Sequence, residues 1–179
     1  MRKLKNEELD RLSTEDFKAA EKNPVVVVLD NVRSMNNVGS AFRTSDAFLV
    51  EKICLCGITA RPPHRDINKT AIGATETVDW EYFETTREAI ENLQSLGYHV
   101  IAIEQAEDST MLQDFAPMAS GKYAFVFGNE VFGVEQEVVN MADSVVEIPQ
   151  FGSKHSLNIS VSMGLVLWDF MTKAVLPGK

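Results

Sequence analysis

The chain has 179 residues, of which 45% are hydrophobic and 24% charged, and its formal net charge is −9. This length suits one domain with a short extension, and the composition is that of an ordinary globular protein. The acidic balance argues against a generic nucleic-acid binder, no apolar run is long enough to cross a membrane, and the charged first ten residues lack the apolar segment of a secretory signal.

The positive charges are concentrated in the first part of the chain. Residues 1–70 hold 12 of the 17 Lys and Arg residues against 10 acidic ones, whereas residues 71–179 hold 5 against 16. A locally basic face on an acidic protein can still bind phosphate, and scattered surface charge is the alternative interpretation.

Alternating apolar segments predict the fold class. In chain order, the pattern predicts an amphipathic helix over 5–22, a strand over 25–29, a helix over 37–48, a strand over 53–56, a Pro-rich charged loop over 59–70, a strand over 78–83, a helix over 85–96, strands over 98–103 and 122–127, a helix over 135–141, a strand over 144–148 and a final helix over 156–174. This alternation predicts an α/β fold whose mainly parallel sheet is flanked by helices. We expect a helical extension over residues 1–22 and one domain over residues 23–179.

Cysteines and histidines indicate no metal site. Cys54 and Cys56 lie two apart in a predicted strand and have no further Cys to complete a zinc set, so we expect buried free thiols of a reducing cytoplasm. The histidines His64, His99 and His155 are far apart in the sequence and lack metal-ligand spacing.

Common nucleotide and hydrolase motifs are also missing. No G-x-G-x-x-G follows the first strand, and no Ser lies in a G-x-S-x-G turn. Gly128 to Gly133 has the spacing of a phosphate loop, but Val134-Glu135 stands where Lys-Ser/Thr would bind phosphate.

Three polar segments follow or open predicted elements, which is where α/β proteins build sites. They are Asn37-x5-Arg43-Thr44 with Asp46 soon after; Phe127-Gly128-Asn129-Glu130-x-x-Gly133; and Ile148-Pro149-x-x-Gly152 with Ser156-Leu157-Asn158-x-Ser160-Val161. In this order and at these spacings, they resemble the motifs of the SpoU, or TrmH-like, branch of the SPOUT RNA methyltransferases. The resemblance covers roughly residues 24–175.

The resemblance implies a deep C-terminal trefoil knot, S-adenosylmethionine as cofactor, and a homodimer in which each site borrows groups from the partner. It implies a donor site in the knot, held largely by backbone groups. The residues that it places there are Ile103, Glu104, Gly128, Asn129, Ile148, Gln150, Ser156 and Leu157. It also implies catalytic roles for Arg43, Asn37, Glu130, Ser156 and Asn158.

The chemistry of methyl transfer to a ribose 2′-hydroxyl fits these residue types. Arg43 would hold the RNA phosphate and help to activate the hydroxyl, because a guanidinium stays charged and forks onto phosphate oxygens. Glu130 would steady its loop or Arg43, and Asn37 would organise a helix start or touch RNA. The alternatives are an exposed helix charge for Arg43, a solvated turn acid for Glu130, a helix cap for Asn37, and plain capping for Ser156 and Asn158.

Substrate contacts are predicted from the basic residues near the first motif. We expect Arg33, Arg43, Arg61, Arg65 and Lys69 to bind RNA, with charged solvated positions as the alternative for each. Transfer RNA is favoured over ribosomal RNA, since the chain lacks the separate N-terminal RNA-binding domain of many ribosomal RNA members. Similarity around Ile103-Glu104-Gln105 points to guanosine 18 of the D-loop.

The expected protein is thus a cytoplasmic, dimeric RNA 2′-O-ribose methyltransferase without a metal or a membrane partner. Three alternatives remain: a ribosomal RNA 2′-O-methyltransferase, a catalytically silent RNA-binding dimer of the same fold, and a SPOUT enzyme that methylates a base. Trp80 and Trp168 are expected in the core or at the dimer interface.

Overall fold

The computed structural model describes residues 1–118 and 120–178. Seven strands form one sheet in the order β3-β2-β1-β6-β4-β7-β5, and every pairing in it is parallel. The strands are β1 (Asn23–Asp30), β2 (Val50–Cys56), β3 (Asp79–Phe83), β4 (Tyr98–Ile103), β5 (Thr110–Met111), β6 (Lys122–Phe127) and β7 (Ser144–Glu147). The predicted α/β class with a parallel sheet is confirmed.

Helices cover both faces of the sheet. They are α1 (Thr14–Ala19), α2 (Met35–Ala47), α3 (Arg65–Ala71), α4 (Ala74–Thr77), α5 (Thr86–Ser95), α6 (Gln136–Met141) and α7 (Ile159–Phe170), and a π-helical turn (Met171–Val175) continues α7. Short 3-10 turns cover Asn6–Glu8, Leu112–Asp114 and Leu176–Gly178.

The valine run of β1 shows why the sheet is buried on both sides. Val25 and Val27 pack with α2, α3 and α7, whereas Val26 and Val28 pack with α5 and α6 on the opposite face. All four are fully buried, as expected for the β-branched residues of a central parallel strand.

Gly39 lets α3 pack unusually close to α2. A Cβ at this position would lie 2.2 Å from the carbonyl oxygen of Ile67 and from Oγ1 of Thr70. The Thr70 hydroxyl also donates to the Asn36 carbonyl across the same crossing, at 3.0 Å. The absence of a side chain at Gly39 therefore fixes where the exposed face of α3 lies relative to α2.

Three predictions of local structure were wrong. The segment 5–22 is not one helix: Asp10 has a positive φ of 43°, and the α-helical part begins only at Thr14, after the Ser13 cap. The segment 59–70 is not all loop, since α3 begins at Arg65. The last helix begins at Ile159 instead of residue 156. Trp80 and Trp168 are 37% and 55% exposed, which leaves the dimer interface, of the two places expected for them, as a prediction.

Strand order places the loops of the candidate site together. Strand β7 lies between β4 and β5, although β5 follows β4 in the chain, so the last part of the chain returns into the sheet beside β4. Because the sheet is parallel, the carboxyl ends of β4, β6 and β7 meet at one edge. The knot itself stays a prediction.

Two further findings concern the expectations from composition. No helix in the described part of the chain is long and apolar enough to cross a membrane. Over residues 1–118 and 120–178, no group of three or more His, Cys, Asp or Glu residues is arranged to hold a metal ion. Cys54 and Cys56 are buried free thiols, as predicted, and burial raises the pKa of Cys54 to about 12.

Candidate functional site

A cleft of about 960 Å³ opens at the carboxyl edge of the sheet. It lies among three loops, which follow β4 (residues 104–107), β6 (residues 128–134) and β7 (residues 148–158). The structure places all eight predicted donor-site residues in its lining: Ile103, Glu104, Gly128, Asn129, Ile148, Gln150, Ser156 and Leu157. Three segments that are far apart in the sequence thus form one concave site.

The loop after β6, residues 128–134, is a tightly closed turn. Asn129 and Gly133 exchange two backbone hydrogen bonds of 2.9 Å, and Gly133 has a positive φ of 70°. A Cβ on Gly128 would lie 2.1 Å from the backbone nitrogen of Val134, so only glycine permits this closure.

Asn129 shapes this loop with its side chain. Its Oδ1 accepts hydrogen bonds from the backbone N–H groups of Val131 and Phe132, at 2.9 and 3.2 Å. Its Nδ2 donates to the Asn31 carbonyl at 2.7 Å, and the residue is almost fully buried. The side chain of Asn129 is therefore engaged in holding the cleft wall in place.

Glu104 joins the loop after β4 to the loop after β6. Its two carboxylate oxygens accept from the backbone N–H groups of Gln105 and Val134, at 2.8 and 2.9 Å. A Cβ on Gly133 would lie 2.2 Å from Oε2, so the glycine makes room for this contact. Gln105 in turn donates to the His155 carbonyl at 3.0 Å, which ties in the loop after β7.

The charges of the cleft favour a cationic ligand. Glu104, Glu107 and Glu130 line it, and no Lys or Arg is among its described lining residues. The remaining lining is largely apolar or uncharged, and includes Phe127, Val134 and Ile159. Such a site attracts a positive charge and repels phosphate, because interactions between charges are strong where water is partly excluded.

Glu130 binds the first turn of α2 and does not bind Arg43, which was one of its two expected partners. Its Oε1 accepts from the backbone N–H of Ser34 at 2.9 Å and from Nδ2 of Asn37 at 2.9 Å, and its Oε2 accepts from the backbone N–H of Arg33 at 3.0 Å. No hydrogen bond or ion pair joins Glu130 to Arg43 in the described residues. The carboxylate therefore satisfies N–H groups at the helix start, where a negative charge is favourable.

These contacts determine the ionisation of Glu130. Partial burial raises the pKa of its carboxyl group, but the hydrogen bonds from Asn37 and from the backbone of Arg33 and Ser34 outweigh burial. The pKa consequently lies below its ordinary value of 4.5, and the group is ionised at neutral pH.

Asn37 connects this contact to the start of α7. Its Oδ1 accepts from Nδ2 of Asn158 at 3.2 Å and from the Ser160 hydroxyl at 3.3 Å. Asn37 is not the cap of its own helix, since Ser34 caps α2, whereas Asn158 caps α7 through the Ser160 N–H. Ser156 lines the cleft but caps no helix. The chain of contacts Glu130–Asn37–Asn158 links the three sequence motifs.

Arg43 lies outside the cleft. It is exposed on α2 and borders a separate depression of about 310 Å³ formed with Thr14, Asp46 and Gly73. Within the described residues, its side chain makes no hydrogen bond or ion pair. The described chain therefore leaves the guanidinium free to bind a ligand.

The other predicted RNA contacts are exposed on the same part of the chain. The guanidinium of Arg61 lies 4.2 Å from the ring centroid of Tyr82, and Arg65 pairs with Asp66 at 3.3 Å. Lys69 lies one turn after Arg65 on α3, which packs against the helix of Arg43 at Gly39. The Arg33 backbone binds Glu130, and its side chain is exposed.

Comparisons with known proteins agree with this architecture. A profile of the SpoU rRNA Methylase family matches residues 24–168. The chain belongs to this family. A match of this length includes all three SpoU motifs and the sheet that positions them.

Two relatives differ in the RNA that their names give as the substrate. The chain is 29% identical over 153 residues to a 23S rRNA (guanosine-2′-O-)-methyltransferase of Neisseria meningitidis, covering 86% of this chain and 60% of the relative. It is 30% identical over 155 residues to the tRNA (guanosine(18)-2′-O)-methyltransferase of Thermus thermophilus, covering 86% and 77%.

A solved methyltransferase structure supports the fold. The AdoMet-bound rRNA methyltransferase of Sinorhizobium meliloti superposes with a TM-score of 0.78 at 25% identity, over 87% of this chain and 59% of that one. The chain spans about 60% of the length of the Neisseria relative, so its SpoU domain matches only part of that longer protein.

Sequence reasoning missed the residues that join the end of β1 to the segment after the second SpoU motif. Buried Asp30 accepts from the Glu135 N–H at 3.0 Å, and Asn31 Nδ2 donates to the Glu135 carboxylate at 2.8 Å. Ser34 completes the first turn of α2. The available signal was an acid and an amide directly after a buried strand, which is a frequent position for groups that organise neighbouring loops.

Proposed function

We propose that the protein is an S-adenosylmethionine-dependent RNA 2′-O-ribose methyltransferase. The main support is that one chain carries both sites, an acidic and apolar cleft and an exposed Arg43, with α2 joined to the cleft through Glu130, Asn37 and Asn158; a second copy would bring the two sites together. The cleft suits a cationic donor, and the exposed guanidinium suits RNA phosphate. Because the chain belongs to the SpoU rRNA Methylase family, we assign methyl transfer to this pair of sites.

The cleft residues fit the proposed donor. A sulfonium ligand is cationic, and three carboxylates with no Lys or Arg line the described cleft. Backbone groups at Ile103, Gly128, Ile148 and Leu157 would hold it, with Glu104, Gln150 and Ser156 beside them. When bound, S-adenosylmethionine supplies an electrophilic methyl group. The predicted knot would fix the third loop of this cleft.

Arg43 would act on the acceptor. Its guanidinium would hold the phosphate next to the target ribose and stabilise the negative charge that develops as the 2′-hydroxyl loses its proton. Glu130, Asn37 and Asn158 would position this helix relative to the cleft. Arg33, Arg61, Arg65 and Lys69 would bind further phosphates.

A homodimer would complete the site. Val161, Leu165 and Trp168 form an apolar stripe on α7 that is 43–55% exposed, while the opposite side of α7 is buried. Phe48 extends the stripe, with its ring centroid 6.4 Å from that of Trp168. Covering this stripe with a second copy would bury it and bring the partner's Arg43 to the cleft.

Transfer RNA is the substrate we favour, with guanosine 18 as the position. The support is the tRNA (guanosine(18)-2′-O)-methyltransferase of Thermus thermophilus, of which this chain covers 77%. Ribosomal RNA is the second candidate, favoured by the Neisseria relative.

We place the activity in the cytoplasm with these RNAs, and we propose residues 1–22 as an extension of a domain over residues 23–179.

The test is transfer of a labelled methyl group to total transfer RNA, and separately to ribosomal RNA, from a strain that lacks the protein. Mass spectrometry of nuclease digests then locates the methyl group. We expect a 2′-O-methylated guanosine. Label on a base would indicate the base-methylating alternative, and no label with either RNA would indicate a silent binder.

Arg43→Ala tests the mechanism. We expect turnover to fall by at least about a hundredfold, since a positioned charge is removed from the transition state, while donor affinity by calorimetry stays unchanged. Arg87→Ala is the matched control, because Arg87 is an exposed arginine on α5, outside the described lining of both depressions, that pairs with Glu91 on its own helix and with Glu137 on α6. Equal activity of the two variants would contradict the role of Arg43.

A further inference from the structure

Phe132 is a large aromatic side chain that is exposed at the cleft. It lies in the loop over residues 128–134, lines the cleft and is 82% exposed. An exposed phenyl ring is unfavourable in water and gains free energy when a flat partner covers it.

The loop holds the backbone of Phe132 in place. The Phe132 N–H donates to Oδ1 of Asn129 at 3.2 Å, and the paired backbones of Asn129 and Gly133 close the turn around it. Asn129 is itself anchored to the Asn31 carbonyl. The ring therefore projects from a braced turn and needs little ordering on binding.

Phe132 lies on the loop that joins the wall of the cleft to the start of α2. The same loop carries Glu130, two residues earlier, whose carboxylate binds the first turn of α2. The ring thus belongs both to the wall of the donor cleft and to the loop that contacts the first turn of α2. A nucleoside whose ribose reaches the donor must place its base near this junction.

The charges beside Phe132 select an uncharged, flat ligand. Glu130 lies two residues before Phe132 in the chain and Glu135 three residues after it. The Glu104 carboxylate binds the same loop by accepting a hydrogen bond from the Val134 N–H. These carboxylates repel phosphate but do not oppose a nucleobase, which has a π-face that stacks on aromatic rings. The α7 stripe differs, because its apolar residues repeat at helical spacing as in contacts between protein helices.

We propose that Phe132 is the stacking platform for the base of the nucleotide to be methylated. This role rests on the proposed function and adds to it a residue that positions the acceptor base. It predicts a contribution to RNA recognition that is independent of donor binding.

The experiment compares Phe132→Ala, Phe132→Leu and Phe132→Trp with the wild type. The control is Phe151→Ala, which removes a phenyl ring that is 96% exposed on the loop after β7 and is not among the described cleft-lining residues. We expect kcat/KM for RNA to fall about ten- to a hundredfold in the alanine variant, to recover with tryptophan but not with leucine, and to stay unchanged in the control.

Donor affinity by calorimetry and mass by sedimentation should equal those of the wild type in all variants. Unchanged kcat/KM in Phe132→Ala would overturn the proposal. A matching loss of donor affinity would make Phe132 a donor contact, a loss of dimer would make it a subunit contact, and full rescue by leucine would exclude stacking; each result also overturns it.

A fluorescence titration separates this proposal from the proposed function. Total transfer RNA is added to Phe132→Trp, and the wild type supplies the background of Trp80 and Trp168. Stacking on a base quenches the added tryptophan, and no extra quenching would overturn the proposal. Absence of methyl transfer by the wild type would instead refute the proposed function, and the quenching would still decide the stacking.

Discussion

At the scale of single residues, Glu130 connects the loop after β6 to the start of α2. It accepts hydrogen bonds from two backbone N–H groups and from Asn37, and all of them belong to the start of α2. The motif predicted a role for this acid but not its partner, because the partner depends on how the loop after β6 approaches α2. Glu130 therefore fixes the position of the loop after β6, which lines the cleft, relative to α2.

Glu130→Gln should destabilise the fold in a pH-dependent way. The pKa of Glu130 is lowered in the folded protein, so its stabilisation is present above the ordinary value of 4.5 and is lost as pH falls through the folded pKa. We expect a loss of about 1 kcal/mol near neutral pH, since glutamine turns one acceptor into a donor and the site is partly exposed.

Thermal unfolding of both proteins from pH 3 to pH 8 measures this difference. The gap in Tm should be constant above pH 6 and should narrow below pH 4.5, where the wild type also loses its charge. Glu91→Gln is the control, because its exposed pair with Arg87 should contribute little at any pH. A gap that widens on acidification would show that another group causes the effect.

At the scale of elements, the sequence predicted most strands and helices but failed at the short ones. The valine run of β1 has only one compatible structure in an α/β fold, and it is a strand as predicted. Helix α3 has only seven residues, of which Ile67 and Ala71 are buried, so its local pattern was too weak to separate it from a charged loop. Its helical state depends on packing against Gly39, which no local pattern shows.

Gly39→Ala should displace α3. The added Cβ would lie 2.2 Å from the backbone oxygen of Ile67, and backbone cannot move aside as a side-chain end can. We expect a loss of about 1–3 kcal/mol in urea unfolding, as for overpacked interiors. RNA affinity should also fall, because the exposed Arg65 and Lys69 move with α3.

Ser40→Ala tests whether any alanine in α2 has this effect. Ser40 is the next residue, it is half-buried, and alanine favours helix, so we expect equal or slightly higher stability. If Gly39→Ala were as stable as the wild type, the close crossing of α2 and α3 would not be a constraint on the fold.

At the scale of the whole molecule, the protein separates its charges. The acidic cleft suits a cationic donor, whereas the five predicted RNA contacts, Arg33, Arg43, Arg61, Arg65 and Lys69, are exposed on α2, α3 and the loops before them. A net charge of −9 therefore does not prevent RNA binding, because local fields at contact distance exceed the screened field of distant charges. The cleft and Arg43 border different depressions, which is the arrangement expected if the proposed site is shared between two copies of the chain.

Mixing two inactive variants tests whether the site is shared between protomers. Arg43→Ala keeps its cleft, and Leu157→Arg keeps its arginine at position 43 but puts a positive charge where a cationic donor would bind. In a mixed dimer, the intact cleft of the first would meet Arg43 of the second. Random exchange makes half of the dimers mixed with one complete site each, so activity should return to about a quarter of wild type.

Each variant alone should be inactive and dimeric by sedimentation. In the control mixture of Arg43→Ala with Arg87→Ala, activity should rise in proportion to the fraction of Arg87→Ala. The reason is that every Arg87→Ala protomer brings an intact cleft and an intact Arg43. No recovery in the first mixture, with subunit exchange shown by mass spectrometry of a tagged protomer, would mean that Arg43 acts on the cleft of its own chain. The apolar stripe on α7 would then need another partner.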